Sequence, residues 1–291
     1  MKKPPLKTCF LILSLILLCV TPAGSEETSY PYRAVIKTTV AGVFERSNSS
    51  TPLLTQALLN EEIEVLSTSG SFVFARVPDG YSGYVRQADI TDDLSSINAT
   101  GDKVIVKSNY AAVLDSFGRE IIIAPMSSVF FGRRDGNKYV ITLPQNVIGY
   151  INAEDVLFLQ RNDRIPLGDG KQFADYAMMF LGVNYLWGGC SVNGIDCSGL
   201  TYIAAKLNGL TIPRDSRPQS LTGFSVDLAD AVAGDQLFFS SDSRKLMVTH
   251  TGIYLGNGDF VHSSGGNGVT VSNIYNSEYY NQRFMFAKRQ F

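Results

Sequence analysis

The N-terminal half of this chain repeats itself. At an offset of 66 positions, Val73-Phe74-Ala75-Arg76-Val77-Pro78 aligns with Tyr139-Val140-Ile141-Thr142-Leu143-Pro144, Gly83-Tyr84-Val85 with Gly149-Tyr150-Ile151, and Asp89-Ile90 with Asp155-Val156. One matched dipeptide arises by chance, but a series at one offset is a duplicated unit. Each copy has short β-branched or aromatic runs separated by Gly, Asn, Asp and Ser, and no convincing amphipathic helix. That pattern predicts two small all-β barrels, expected over residues 26–97 and 98–160. A linker is expected from Gln160 to Gly170, where Arg161-Asn162-Asp163-Arg164, Pro166, Gly168, Asp169 and Gly170 interrupt the apolar pattern. The remaining domain, residues 166–291, begins differently: Phe173, Ala177, Phe180 and Leu181 have the i, i+4, i+7, i+8 spacing of a helix packed by one face.

Within that last domain, Trp187-Gly188-Gly189-Cys190-Ser191-Val192-Asn193-Gly194-Ile195-Asp196-Cys197-Ser198-Gly199 leads to Leu200, Ile203, Ala204 and Leu207 at helical spacing. A helix is therefore expected to begin at or just before Cys197. At a helix N-terminus, unpaired N–H groups and the macrodipole are expected to lower the Cys197 pKa toward working pH and favour a nucleophilic thiolate. The competing reading is a buried structural cysteine.

A thiol nucleophile needs a base and a group to orient it. The chain has two histidines, His250 and His262, both downstream of Cys197. They lie in two strand-like runs joined through Gly256-Asn257-Gly258, which reads as a β-hairpin. A two-residue Asn257-Gly258 turn would pair Gly256 with Asp259 and set the histidines on opposite faces. A three-residue connection would pair Leu255 with Asp259 and make them same-face diagonal neighbours. The odd-numbered loop is the expectation, and opposite faces would defeat a Cys–His–His arrangement. Taken singly, each histidine has the alternative reading of an ordinary polar strand residue; two on one hairpin, both downstream of a helix-opening cysteine, argue against it.

The stretch Tyr185-Leu186-Trp187-Gly188-Gly189 through Asp196-Cys197-Ser198-Gly199, then Gly234-Asp235-Gln236-Leu237-Phe238-Phe239, His250-Thr251-Gly252-Ile253-Tyr254-Leu255-Gly256 and Phe260-Val261-His262, resembles the NlpC-type cell-wall cysteine peptidases. The resemblance implies a papain-like α+β core with Cys197 as nucleophile, His250 as general base and His262 as its orienter. It implies hydrolysis of peptidoglycan stem peptides, typically between D-glutamate and the diamino acid. The Gly-Tyr-Val/Ile-x-x-x-Asp-Ile/Val ending of each repeat resembles bacterial SH3-like domains, which often accompany this peptidase class.

Substrate contacts are carried by the same resemblance. Pro213-Arg214-Asp215-Ser216-Arg217-Pro218-Gln219 is similar to the family's Arg-Asp-Ser segment. Asp215 would then face a free α-amine, with Asp196, Ser198 and Ser216 lining the pocket near the D-glutamyl residue. A carboxylate there favours an ammonium and leaves an acylated N-terminus without a partner. The alternative for Asp215 is a salt bridge with Arg214 or Arg217. Tyr185 could aim its hydroxyl at the developing oxyanion beside the Cys197 N–H, with Trp187 walling the site. By similarity to relatives with paired barrels, Glu45 and Tyr81 of the first barrel would close on the amine. The bland readings are an exposed glutamate and a barrel-core tyrosine.

Lys2, Lys3 and Lys7 ahead of an apolar run from Cys9 to Val20, with Ala23-Gly24-Ser25 behind it, read as a secretory signal over residues 1–25. Cys19 invites a lipoprotein reading, but Leu18 stands where a small residue is needed. A secreted or periplasmic bacterial protein is the expectation. Removing three lysines and no acids from 25 basic and 27 acidic side chains leaves a net charge of −5, unsuited to nucleic acid or an anionic membrane surface. Two histidines and one spare cysteine make no metal site, and neither metal nor cofactor is expected. Cys190 reads as a packing residue of the glycine-rich loop, with inhibitory pairing to Cys197 as the lesser alternative.

The chain is thus read as a monomeric hydrolase, a thiol protease acting on peptidoglycan-derived (murein) peptides. It would cut the γ-D-glutamyl–diamino acid bond of stem peptides with free N-terminal L-Ala, releasing L-Ala-D-Glu. Two alternatives are an endopeptidase on intact peptidoglycan with the barrels as tethers, and a non-catalytic wall-binding protein. A general base with pKa near neutral predicts activity at mildly acidic to neutral pH.

Overall fold

The computed structural model describes residues 29–291. The expected signal segment, residues 1–25, lies outside the described residues. Strands β1 (Tyr32–Ile36), β2 (Val40–Phe44), β3 (Leu53–Leu58), β4 (Glu62–Ser69), β5 (Phe72–Arg76), β6 (Ser82–Arg86) and β7 (Ile90–Thr91) form one seven-stranded antiparallel sheet in the order β3-β2-β6-β5-β4-β1-β7. After a short helix α1 (Ser95–Asn98), strands β8 (Asp102–Val106), β9 (Tyr110–Leu114), β10 (Glu120–Pro125), β11 (Val129–Asp135), β12 (Lys138–Leu143), β13 (Val147–Asn152) and β14 (Val156–Leu159) follow. Their order, β10-β9-β13-β12-β11-β8-β14, is that of the first sheet strand for strand. The duplicated sequence therefore encodes a duplicated topology.

Alternation explains how each sheet closes on its own core. Ala41 and Val43 of β2 are buried while Val40, Gly42 and Phe44 are less so, the period-2 signature of a strand with one face inward. Residues from all seven strands, including Ile36, Val43, Ala57, Ile63, Val73, Val85 and Ile90, meet in one apolar cluster, so the sheet rolls over itself. The second sheet does the same around Val104, Val113, Ala124, Phe130, Ile141, Ile151 and Val156.

The C-terminal part is α+β. Helix α2 (Gly170–Met178) is capped by Asp169, whose side chain accepts from Gln172 N, and helix α3 (Cys197–Leu207) is capped by Asp196. Strands β15 (Cys190–Ser191) and β16 (Gly194–Ile195) form a small hairpin before α3. Helix α4 (Ser216–Gln219) precedes a six-stranded antiparallel sheet. Its strands are β17 (Phe224–Val226), β18 (Gln236–Ser240), β19 (Val248–Gly256), β20 (Asp259–Ser264), β21 (Gly268–Asn273) and β22 (Phe284–Arg289), with helix α5 (Glu278–Arg283) entering β22. Phe173, Ala177 and Phe180 are buried as their spacing predicts, but Leu181 is about half exposed. The helix stops at Met178, and Leu181 falls in the turn that follows, off the packed face.

The first sheet docks against the base of α3. Gln56 Oε1 of β3 accepts from Cys190 N at 2.9 Å and Ser191 Oγ at 3.0 Å, and Lys206 of α3 reaches Glu61 at 2.9 Å. Gly188 explains the glycine-rich approach: its φ is +74°, and a Cβ there would stand 2.6 Å from the Leu53 carbonyl oxygen. Leu58, Ile105 and Met126 join Phe173, Phe180, Leu200 and Ile203 in one apolar cluster, so both β-domains pack on the α2–α3 layer.

Candidate active site

Cys197 is the first residue of α3, and its N-cap is Asp196. Asp196 Oδ1 accepts from Gly199 N at 2.6 Å, satisfying an amide that the helix start leaves open, and Oδ2 accepts from Gly188 N of the glycine-rich loop at 2.9 Å. The same carboxylate takes a two-pronged salt bridge from Arg214, at 3.0 and 2.9 Å, and both partners are buried. Arg214 also donates to Gly189 O, Ser198 Oγ and Thr55 Oγ1. Asp196 and Ser198 line the cleft, but Asp196 is spent on the capping network, a role not legible from the local motif.

The helix position does not lower the thiol pKa as expected. Burial, followed by the nearby Asp196 carboxylate, pushes Cys197 up to about 12, although Thr251 N–H and Ser198 N–H both oppose the shift. Desolvation of a thiolate at this buried position outweighs the helix-terminus field. Among the described residues Cys190 and Cys197 are both free, so the lesser disulfide reading has no support in the geometry. Cys190 is buried at the domain contact, donates to Gln56 O at 3.3 Å, and burial pushes it up to about 11.

The hairpin corrects one expectation and keeps its consequence. Asn257 and Gly258, both at positive φ, form a two-residue turn that pairs Gly256 with Asp259, where an odd-numbered loop was expected. A register shift between Tyr254 and Gly256 then inserts one residue, so Tyr254 faces Phe260 and Ile253 faces Val261. The bulge restores the parity that the turn alone would reverse. His250 and His262 meet on one face, His250 Nε2 to His262 Nδ1 at 3.1 Å with the rings nearly perpendicular. His262 is fully buried, and its Nε2 lies 3.0 Å from Ser272 Oγ on β21. Ser272 was not singled out in the sequence, since only strand pairing brings it there. Burial lowers His250 to about 4 and His262 to about 3. The Tyr280 ring packs at 5.0 Å from His262 and 6.2 Å from His250, helping to exclude water.

A cleft of about 1020 Å³ gathers the other residues. Cys197, His250, Tyr185, Trp187, Asp196, Ser198, Asp215, Ser216 and Tyr81 all line it; Glu45 does not. Glu45 is largely exposed, with its closest cation the neighbouring Arg46 at 4.0 Å. Tyr81 comes from the turn that joins β5 to β6 of the first β-domain, and its hydroxyl donates to Asp215 Oδ2 at 2.7 Å. The alternative salt bridge from Arg214 to Asp215 does not form, because Arg214 is committed to Asp196. Burial, then the proximity of Cys197, pushes the Tyr185 phenol up to about 12, so it remains a donor at neutral pH.

A thiol at a helix start, packed against an antiparallel sheet that carries a buried histidine pair, behind two small β-domains, brings together the groups that a thiol-based hydrolase needs. Residues 182–289 match the NlpC/P60 family and residues 44–90 the bacterial dipeptidyl-peptidase Sh3 domain. The chain is 30% identical to a gamma-D-glutamyl-L-lysine dipeptidyl-peptidase of Bacillus cereus over 223 residues, covering 72% of this chain and 67% of that protein. It is 31% identical to the protein of the same name in Bacillus subtilis, covering 72% and 71%. The solved structure of an NlpC/P60 family protein from Bacillus cereus superimposes with a TM-score of 0.82 at 26% identity, over 89% of this chain and 99% of that one. The chain belongs to the NlpC/P60 family of cell-wall peptidases and is a peptidase.

Proposed function

We propose that this peptidase hydrolyses the γ-D-glutamyl–diamino acid bond of peptidoglycan stem peptides with a free N-terminal L-Ala, releasing L-Ala-D-Glu. The observation that carries the reading is the Tyr81–Asp215 pair at the cleft, a carboxylate oriented by a residue from the first β-domain. It is a site for an ammonium, and the names of the two Bacillus relatives agree with the reading. In this proposal residues 26–97 and 98–160 are the two SH3-like units, and 166–291 the peptidase domain. The protein acts outside the cytoplasm, secreted or periplasmic.

The chemistry follows from a resting state in which thiol and imidazoles are neutral. With His250 Nε2–H donating to His262 Nδ1 and His262 Nε2–H to Ser272, the free Nδ1 of His250 is left to accept the Cys197 proton as Sγ attacks the γ-carbonyl carbon. Cys197 N–H and the Tyr185 hydroxyl stabilise the oxyanion. His250 returns the proton to the departing amine, leaving a thioester on Cys197. Water, deprotonated by His250, then hydrolyses the thioester and frees L-Ala-D-Glu. Incubating the protein with L-Ala-γ-D-Glu-L-Lys and following L-Ala-D-Glu by mass spectrometry tests the reading: Cys197-dependent release is expected, and no release would refute it.

A further inference from the structure

The mechanism leaves two cations of the cleft unused, Arg217 and Arg283. Arg283, the last residue of α5, lines the cavity. Its guanidinium is fixed by its surroundings: Nε donates to Ser241 O at 3.2 Å, Nη1 donates to Tyr279 O at 3.1 Å, and the Tyr279 ring lies 3.9 Å beneath it. Those contacts spend one hydrogen of Nη1 and none of Nη2. Among the described residues no carboxylate lies within ion-pair distance of Arg283. Glu278 on the same helix takes Gln282, and Asp242 on the adjoining loop takes Arg244. A planar donor fork, preorganised and without an anion, is a carboxylate receptor.

The site lies on the histidine side of the cleft. Tyr280 of the same helix stacks on His250, and Ser241 follows the Phe239–Ser240 segment, whose Phe239 pairs with His250. His250 must deliver a proton to the leaving nitrogen, so the leaving amino acid sits beside it. In a tripeptide that residue carries its own free α-carboxylate one carbon from the nitrogen. Resting on the peptidase reading above, we infer that Arg283 binds the α-carboxylate of the leaving diamino acid, so that the enzyme reads both ends of a short stem peptide: an ammonium at Asp215 and a carboxylate at Arg283. Arg217 also lines the cleft, but it sits two residues from Asp215.

The test compares L-Ala-γ-D-Glu-L-Lys carrying a free C-terminal carboxylate with its C-terminal amide. The wild type should favour the acid about tenfold in kcat/KM, chiefly through KM, a ratio expected of one partly solvated charge-assisted contact. Arg283→Gln should reduce the acid to the level of the amide with the amide's KM little changed, and Arg283→Lys should restore part of the preference. A merely structural Arg283 would slow both substrates alike. Equal cleavage of acid and amide by the wild type would overturn the inference while leaving the peptidase reading intact. Loss of the preference in Arg217→Gln but not Arg283→Gln would also overturn it. Cleavage of neither substrate would refute the reading on which it rests, and the inference with it.

Discussion

The Tyr81 hydroxyl and the Asp215 carboxylate, 134 positions apart in the chain, meet at 2.7 Å in the wall of the cleft. That contact makes the first β-domain part of the peptidase site. An orienting hydrogen bond to a charged group contributes about 1.5–3 kcal/mol. Tyr81→Phe should therefore raise KM for a free-amine tripeptide about tenfold with kcat largely retained, and Asp215→Asn should raise it further. Unchanged KM in both variants, from steady-state kinetics, would remove the pair from substrate recognition.

The Asp196–Arg214 pair should behave as a stability element. Both residues are buried, and removing one partner leaves an uncompensated charge, at a cost of about 3–5 kcal/mol. Arg214→Gln should lower the melting temperature by about 10 °C and should also disorder the start of α3. A melting curve displaced by less than about 2 °C would show that the network is not structural.

The histidine pair sets a pH dependence with a definite sign. Both folded pKa values, about 4 and about 3, lie below the ordinary value of 6.5. The unfolded chain therefore binds more protons through this window, so this contribution to stability is complete above about pH 6.5 and is lost as the pH drops toward 4. The acid limb of kcat/KM should accordingly lie near pH 4–5, below the range that an unperturbed imidazole would give. A limb centred on 6.5, measured with the tripeptide, would show that burial does not control the base.

Cys197→Ala should abolish turnover and leave the melting temperature within a few degrees of wild type. Cys190 is sequestered against Gln56, so activity with and without a thiol reductant should be equal, and Cys190→Ser should retain most of it. Reductant-dependent activity would revive the Cys190–Cys197 disulfide.

Legibility in the sequence followed the range of the interactions. The duplication was readable because each short strand repeats its own alternation, and the start of α3 because the apolar spacing after Cys197 is a local signal. The histidine pairing was readable only as parity. The expected route, a longer loop, differs from the actual one, a tight turn plus a bulge, and the two give the same facing. Ser272 and the Asp196–Arg214 network were out of reach, since each depends on elements brought together by the fold. The lowered thiol pKa failed for a related reason: a helix terminus is visible in sequence, whereas the burial that opposes it is not.

The central claim is that the cleft demands a free α-amine. Cleavage of L-Ala-γ-D-Glu-L-Lys compared with its N-acetylated form measures that demand directly. The expected result is release of L-Ala-D-Glu from the free peptide, with kcat/KM lower by at least about a hundredfold for the acetylated one. Equal cleavage of the two would contradict the account.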